Sequence, residues 1–384
     1  MATNTLGNYN ETFFAQEALI QLEKVMGMAG RVFRGYSATS QARGDTIALR
    51  RPASFTATSA PATASDLPTE SVSITLDKWY EVKFALTDKD LSLTAPQIIS
   101  DHIRPAAVAL ADRIDQDLAA LFLDIPWVIA QTGTPVPADV AGIRKIMFDN
   151  KVPLNDMGTL HYMIDGATEL SYLTTLAAVT NALTTDAALR EGSMGRLFGY
   201  DVWANQNTPI HTSGVASDKV GAVDSGGGSE AVYAAGVSTI HIDSLESAGT
   251  FLIGDTFVAT DHAQRYVLTD DSTCIGGEAD FSFSPPLKEA LDENEVITFI
   301  LPGSAKAQTL AFHRNAFALA TAPLTDIGNQ LGARIAVVSD PITNISLRSR
   351  MYYVGGSSQV EVALDVLYGV KTLDPNLAVR AYDA

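Results

Sequence analysis

One stripe constrains this chain more than any other feature. Ile99, Ile103, Ala107, Leu110, Ile114, Leu118 and Leu121 recur at spacings of 4, 4, 3, 4, 4 and 3, the period of one helix face. Thr94 and Pro96 mark a start, so the spacing predicts a helix over 96–124. At 1.5 Å per residue the stripe runs roughly 33 Å. Asp101, Arg104, Asp112, Arg113, Asp115 and Asp117 line much of the remaining surface, and Pro105 predicts a kink near Asp101.

Two segments precede this helix. Residues 11–29 read as a shorter amphipathic helix capped by Asn10, with Phe14, Ala18, Leu22, Val25 and Ala29 on one face. That face can close on the chain's own core or dock on another chain. Residues 45–87 read as an extended hairpin, with alternation in Thr46–Arg50, Val72–Leu76 and Trp79–Leu86. Between its strands lies Pro52–Glu70, rich in Ala, Ser, Thr and Pro, which reads as a protruding arm with little local core. Arg31, Arg34, Arg43, Arg50 and Arg51 face a single acid, Asp45, and form a basic island: a solvated loop or a surface for acidic partners.

Beyond the long helix, 136–212 reads as a mixed α/β layer. Its expected pieces are helices Asp139–Asn150 and Ala167–Leu176 and strands Leu160–Ile164 and Tyr200–Trp203. His211–Gly236 is dense in Gly, Ser and Ala and reads as a linker. Six short strands are expected over 237–301. Within 243–295 there are twelve acids against only Arg265 and Lys288, a net charge of −10 in a chain that is −18 overall. Such a module should face solvent and not nucleic acid. Near the end, Leu347–Tyr353 and Val360–Tyr368 alternate around Gly355–Ser358. Pairing across that turn sets Tyr353 opposite Val360 and Arg348 opposite Asp365, a charge-complementary face whose pair should stabilise the sheet by roughly 0.2–1 kcal/mol where it meets solvent.

With 46% hydrophobic and 18% charged residues, the bulk of the chain is not intrinsically disordered. The single cysteine, Cys274, excludes an intramolecular disulfide and a cysteine-based zinc cluster. The first residues lack the order of a secretory signal, and no apolar run reaches the length of a membrane span, so a soluble protein of a reducing cytoplasm is expected. The six histidines form no HExxH-like pair. Gly226-x-Gly228-x-x-Ala231 lacks the strand and helix of a dinucleotide site. Walker and G-x-S-x-G motifs are absent, and Asp270-Asp271 lacks EF-hand spacing. No enzyme activity, cofactor or metal is expected.

The order of pieces resembles the major capsid (coat) proteins of tailed bacteriophages, which share the Hong Kong 97 capsid fold. It is most similar to the coat family of short-tailed lambdoid phages that carries an inserted β domain. Three stretches carry the resemblance: Ala188–Trp203 (ALREGSMGRLFGYDVW) with Gln206-Asn207-Thr208-Pro209, Leu310–Ala320 (LAFHRNAFALA), and Leu364–Pro375 (LDVLYGVKTLDP). The similarity spans almost the whole chain and is weakest over 214–304.

The resemblance implies an α+β chain divided into an N-arm (1–43), an extended loop lying on a neighbouring subunit (44–87), and a peripheral domain with a spine helix (88–135). An axial domain (136–212), a linker with an inserted acidic β domain (213–304) and return strands (305–384) follow, those at 310–320 and 346–370 rejoining the peripheral sheet. It implies a virion shell assembled in the host cytoplasm around double-stranded DNA. The implied partners are copies of the chain in hexamers and pentamers, a scaffolding protein, a portal protein and a possible decoration protein, with no membrane. Phe14, Leu22, Arg31, Arg34, Arg50 and Arg51 are the candidate subunit or scaffold contacts, and Arg348–Asp365 a structural pair. An encapsulin-like nanocompartment shell is the competing reading, opposed by the acidic β module. A β-rich hydrolase or adhesin is a second, opposed by the missing catalytic motif and secretory signal.

Overall fold

The computed structural model describes residues 15–20, 22, 27–35, 46–50, 59–60, 71–87, 102–131, 135–156, 158–178, 194–216, 219–224, 233–245, 248–260, 262–301, 303, 305–324, 333–340 and 345–383. The fold is α+β, with many strands and few helices. It divides into two compact units. One contains the chain up to Leu118 and Phe317–Leu373; the other contains Ala119–Ala316 and the segment from Asp374.

In the first unit the strand Gln359–Thr372 is central. Lys78–Thr87 pairs along one of its edges, while Ile345–Val354 and then Phe317–Ala322 share the other. Arg334–Asp340 pairs outside Ile345–Val354. The register Arg348↔Asp365 and Tyr353↔Val360 is the one that alternation predicts. The strand Lys78–Thr87 corrects the hairpin expected over 45–87. Only Thr46–Arg50 and Ser71–Thr75 pair as a hairpin, and the third strand joins the closing sheet instead.

One face of this sheet is covered by α1, Arg104–Ala119. Ile103, Ala107, Leu110, Ile114 and Leu118 are buried. Tyr368 donates to Asp117 (2.7 Å), Arg113 donates to Tyr80 (2.7 Å), and Phe84 lies 5.5 Å from the His102 ring. The α-helix ends at Ala119, short of 124, and residues 96–101 lie outside the described residues. His102 and Ile103 have π-type geometry, and Ala120–Asp124 is a 3-10 turn. Pro105 therefore sits in the first α-turn, where its missing N–H costs no internal bond. The expected irregularity becomes a change of helix type at the entry; Asp101 lies outside the described residues.

On the opposite sheet face the hairpin is rooted. Ile47, Ile74 and Leu76 pack with Ala318, Ala320 and Ala322, flanked by Phe33, Leu367 and Leu373. A Cβ on Gly369 would lie 2.1 Å from the Thr75 carbonyl oxygen, so glycine is required where the hairpin crosses the central strand. The hairpin root thus has a local core that the sequence did not reveal. Residues 52–58 and 61–70 lie outside the described residues.

The second unit holds a six-stranded sheet in the order Val128–Gln131, Ala378–Asp383, Thr309–His313, Leu160–Ile164, Tyr200–Ala204, Arg196–Leu197. Helices α2, Asp139–Asp149, and α3, Gly166–Ala178, supply Val140, Ile143, Met147 and Tyr172 to its core. The stretch 310–320 does not form one return strand. Thr309–His313 belongs to this sheet, a 3-10 turn at Arg314–Ala316 follows, and Phe317–Ala322 enters the other unit.

Six antiparallel strands close a barrel: Thr239–Asp243, Ala279–Ser284, Arg265–Leu268, Thr256–Ala259, Val296–Ile300 and Val220–Val223. Closure leaves no free sheet edge. Phe251, Phe257, Tyr266, Phe281, Phe283 and Phe299 fill the core. The chain enters and leaves through a paired neck, Ile210–His211 with Lys306–Ala307. The linker expected over 211–236 is corrected by the strand Val220–Val223, which closes the barrel. A Cβ on Gly221 would meet Ile242 at 2.5 Å, so its small size serves close packing rather than flexibility. Residues 225–232 lie outside the described residues.

Candidate assembly site

The candidate site is the set of buried polar contacts that tie distant stretches of this chain to α1 and to the sheet of the first unit. The structure builds two anchors in the first unit. The first is Asp115 on α1. Its carboxylate accepts from the backbone N–H groups of Gly27 (2.6 Å) and Ala29 (3.0 Å). Burial pushes its pKa up, against those hydrogen bonds. Asp115 and Asp117 lie outside the apolar stripe of the helix, yet both are buried, Asp117 beneath Tyr368. The chain then runs to Phe33, which exchanges backbone hydrogen bonds with Phe317 (3.0 Å) and Leu319 (3.1 Å).

The second anchor is the charged sheet face beside the hairpin root. Arg348 grips Asp365 through two bonds, Nε at 3.0 Å and Nη2 at 2.5 Å. The Arg350 guanidinium reaches the same carboxylate at 3.2 Å and also pairs with Glu81. Trp79 donates its indole N–H to Asp365 at 3.2 Å. Lys83 pairs with Glu361, which pushes its pKa up and that of Glu361 down, and lies 5.3 Å over the Tyr352 ring. Asp365 is 0% exposed and Arg348 9%. The pair is buried, so the solvent-exposed case does not apply: Trp79 and Arg350 cover it. Trp79 itself remains 56% exposed.

Of the candidate contact residues, Leu22, Arg31 and Arg34 and the backbone of Arg50 are described. Leu22 is fully buried within its own chain, as are Ala18 and Ala29, so the described part of the stripe packs on the chain's own core; Val25 lies outside the described residues. Arg104 pairs with Glu17 on that helix at 3.3 Å. Arg31 donates to the Gly27 carbonyl at 3.0 Å, and both Arg31 and Arg34 are half-buried. Arg50 pairs through its backbone with Ser71 in the hairpin. Phe14, Arg43 and Arg51 lie outside the described residues. Asp115, Trp79 and Glu81 were missed, since nothing local marks a partner so distant in sequence.

The second unit contributes a buried polar joint at the foot of the barrel. Arg265 of the barrel donates to the Val128 carbonyl of the six-stranded sheet, while Arg380 of that sheet donates to the Gly254 carbonyl of the barrel. Burial pushes the Arg380 pKa down to about 10, partly offset by Asp255. Asp255 accepts from His211 (2.9 Å) and from the N–H groups of Gly214 and Leu252 (2.9 Å each). Gly254, at φ +90°, would place a Cβ 2.5 Å from Leu123. Through these bonds Asp255 ties the neck at His211 and Gly214 to the turn at Leu252. Among the described residues no group of three or more His, Cys, Asp or Glu side chains can hold a metal ion. No helix of the described residues is long and apolar enough to cross a membrane.

The chain is similar to solved structures from phages, capsids among them, and to a virus-like particle. It aligns with a structure of Mycobacterium phage Che8 over 93% of this chain and 90% of that one, at 15% identity and a TM-score of 0.49. With the capsid of Ralstonia phage GP4 the shares are 100% and 93%, at 9% identity and a TM-score of 0.47. With the virus-like particle from Pyrococcus furiosus they are 96% and 97%, at 9% identity and a TM-score of 0.42. No family model and no curated protein matches the chain.

Proposed function

We propose that this chain is a major capsid protein whose copies assemble into an icosahedral shell around a phage double-stranded DNA genome. The observation that carries this reading is the rooted hairpin. Residues 51–70 leave from and return to two paired strands fixed on the sheet by Ile47, Ile74 and the Gly369 crossing. A packed root joined by some twenty residues rich in small and polar types suits a subunit that reaches onto its neighbours. The helix-covered sheet then serves as the peripheral domain, with α1 as its spine, and the α/β layer as the axial domain.

The partners in this reading are copies of the chain in hexamers and pentamers, a scaffolding protein, a portal protein, packaged DNA and, on the outside, a decoration protein. The location is the virion, after assembly in the host cytoplasm. The role is structural, without catalysis or cofactor. The barrel faces outward: a stretch at −10 per subunit on the inner wall would oppose packaged phosphate, whereas outside it is screened within about 8 Å at physiological salt. Enclosure of protein cargo, as in an encapsulin, is the competing reading.

Deletion of 52–69 tests the proposal. The truncated chain should stay folded and soluble and form no shells by electron microscopy. Normal shells from that deletion would refute the role given to the arm.

A further inference from the structure

A cleft of about 360 Å³ opens within the second unit, between the barrel and the α/β layer. Gln264 and Lys288 line it from the barrel; Trp127, Asn150, Lys151 and Asn376 line it from the layer, with Asp149 at the C-terminal end of α2. We propose that this cleft is a binding site for a carboxylate-bearing ligand, held by the ammonium groups of Lys151 and Lys288 and by the amide N–H groups of Asn376.

Three observations converge on it. The first is a broken local rule. Helix α2 ends in a Schellman pattern, in which Val152 N–H bonds the Met147 carbonyl and Lys151 N–H bonds that of Phe148 (3.0 Å each). The position in left-handed conformation is normally glycine, yet here it is Lys151, at φ +60°. Strain of this kind persists where the side chain is needed. The second is charge placement. Arg265 and Lys288 are the only cations among the twelve acids of 243–295, and both stand at the barrel's foot. Arg265 is committed to Val128 and lies 6.0 Å over the Trp127 ring. Among the described residues the ammonium groups of Lys151 and Lys288 have no ion-pair partner, while Asp149 is paired with Lys145 at 2.6 Å.

The third is a fixed donor. The Asn376 side-chain oxygen accepts from Trp127 (2.9 Å) and Gln264 (3.3 Å), and its backbone carbonyl accepts from Asn150 (3.5 Å). Asp374 holds the Asn376 N–H at 3.0 Å. With its oxygen engaged twice, the amide turns its N–H₂ outward as a donor. Two cations and a fixed amide donor suit an anion. The carbonyl end of α2 and Asp149 temper that field, which favours a singly charged carboxylate group over a doubly charged phosphate. The carboxylate can come from an acidic segment of a second copy of this chain or from a small free acid. The site stands whether or not the shell reading holds.

The test is calorimetric titration of the unassembled chain with a penta-glutamate peptide, with citrate and with inorganic phosphate. Both carboxylate probes should bind, and phosphate at least tenfold more weakly. A peptide preferred tenfold over citrate identifies an acidic segment as the source; the reverse identifies a free acid. Lys288→Ala should weaken carboxylate binding about tenfold. Lys151→Gly should weaken it similarly while raising the melting temperature, since it relieves the left-handed strain; a purely structural Lys151 would give only the second effect. No heat from either carboxylate probe at millimolar concentration, phosphate binding as tightly, or unchanged affinity in both variants would overturn the proposal.

Discussion

Replacing Asp365 by alanine gives the sharpest test of how the sheet of the first unit is held. The carboxylate is wholly buried and receives two bonds from Arg348, one contact from Arg350 and one from Trp79. Its removal leaves Arg348, 9% exposed, without that carboxylate, while Arg350 keeps Glu81. Losing one partner of a buried ion pair costs about 3–5 kcal/mol. For a unit of this size each kcal/mol lowers the melting temperature by about 2–4 °C, so a fall of roughly 6–20 °C is expected. The assay is thermal unfolding of the unassembled subunit. The double change Arg348→Met with Asp365→Leu should recover most of the loss, because a well-packed apolar pair avoids the desolvation cost of two charges. A loss below about 1 kcal/mol for Asp365→Ala would refute the reasoning and return the pair to the class of exposed ion pairs.

Asp115→Ala should cost about 1–3 kcal/mol, because two backbone N–H groups lose their acceptor. Amide exchange should accelerate at Gly27 and Ala29 and leave the barrel strands unchanged. The His241 pKa is raised chiefly by its hydrogen bond to Asp280 (2.7 Å), so the stability that this pair supplies is complete below the ordinary histidine value near 6.5 and is lost as pH rises through the raised one. In Asp280→Asn the His241 titration, followed by NMR, should fall back toward that value; an unmoved titration would contradict the assignment. Some capsids of the Hong Kong 97 fold are locked by isopeptide bonds from a loop lysine. No lysine lies between Arg51 and Asp77, and the one cysteine is buried. Mature particles boiled in detergent without reductant should therefore run as one band near 40.8 kDa, and a ladder would reveal a crosslink.

Local patterns in the sequence carried the elements whose partners lie close by. The register of Arg348 against Asp365 follows from alternation and a four-residue turn. Five of the six strands expected over 237–301 lie in the barrel wall; the sixth, at 250–253, overlaps Ala248–Phe251, which pairs with Ser272–Ile275 beside it. Alternation identifies a face but not its depth. The burial of Arg348 and Asp365 depends on Trp79, 286 residues from Asp365 in sequence, and no local signal announces that pairing. The same distance hid the strand Lys78–Thr87, which alternates equally well as a continuation of the arm. The role of Asp115 had no local signal, because its partners are backbone N–H groups, which carry no side-chain signature. Val220–Val223 read as linker because glycine and alanine serve close packing and flexibility alike. Lys151 was invisible for the converse reason, since a left-handed residue is conspicuous only as glycine.

The central claim is that copies of this chain close into a shell, and cryo-electron microscopy of particles purified under native conditions tests it most directly. The account predicts icosahedral, DNA-filled shells in which this chain is the repeating subunit, with residues 51–70 lying on a neighbouring copy and the barrel on the outer surface. A small particle that forms no closed shell would contradict the claim, and a closed shell filled with protein would contradict the genome as its cargo.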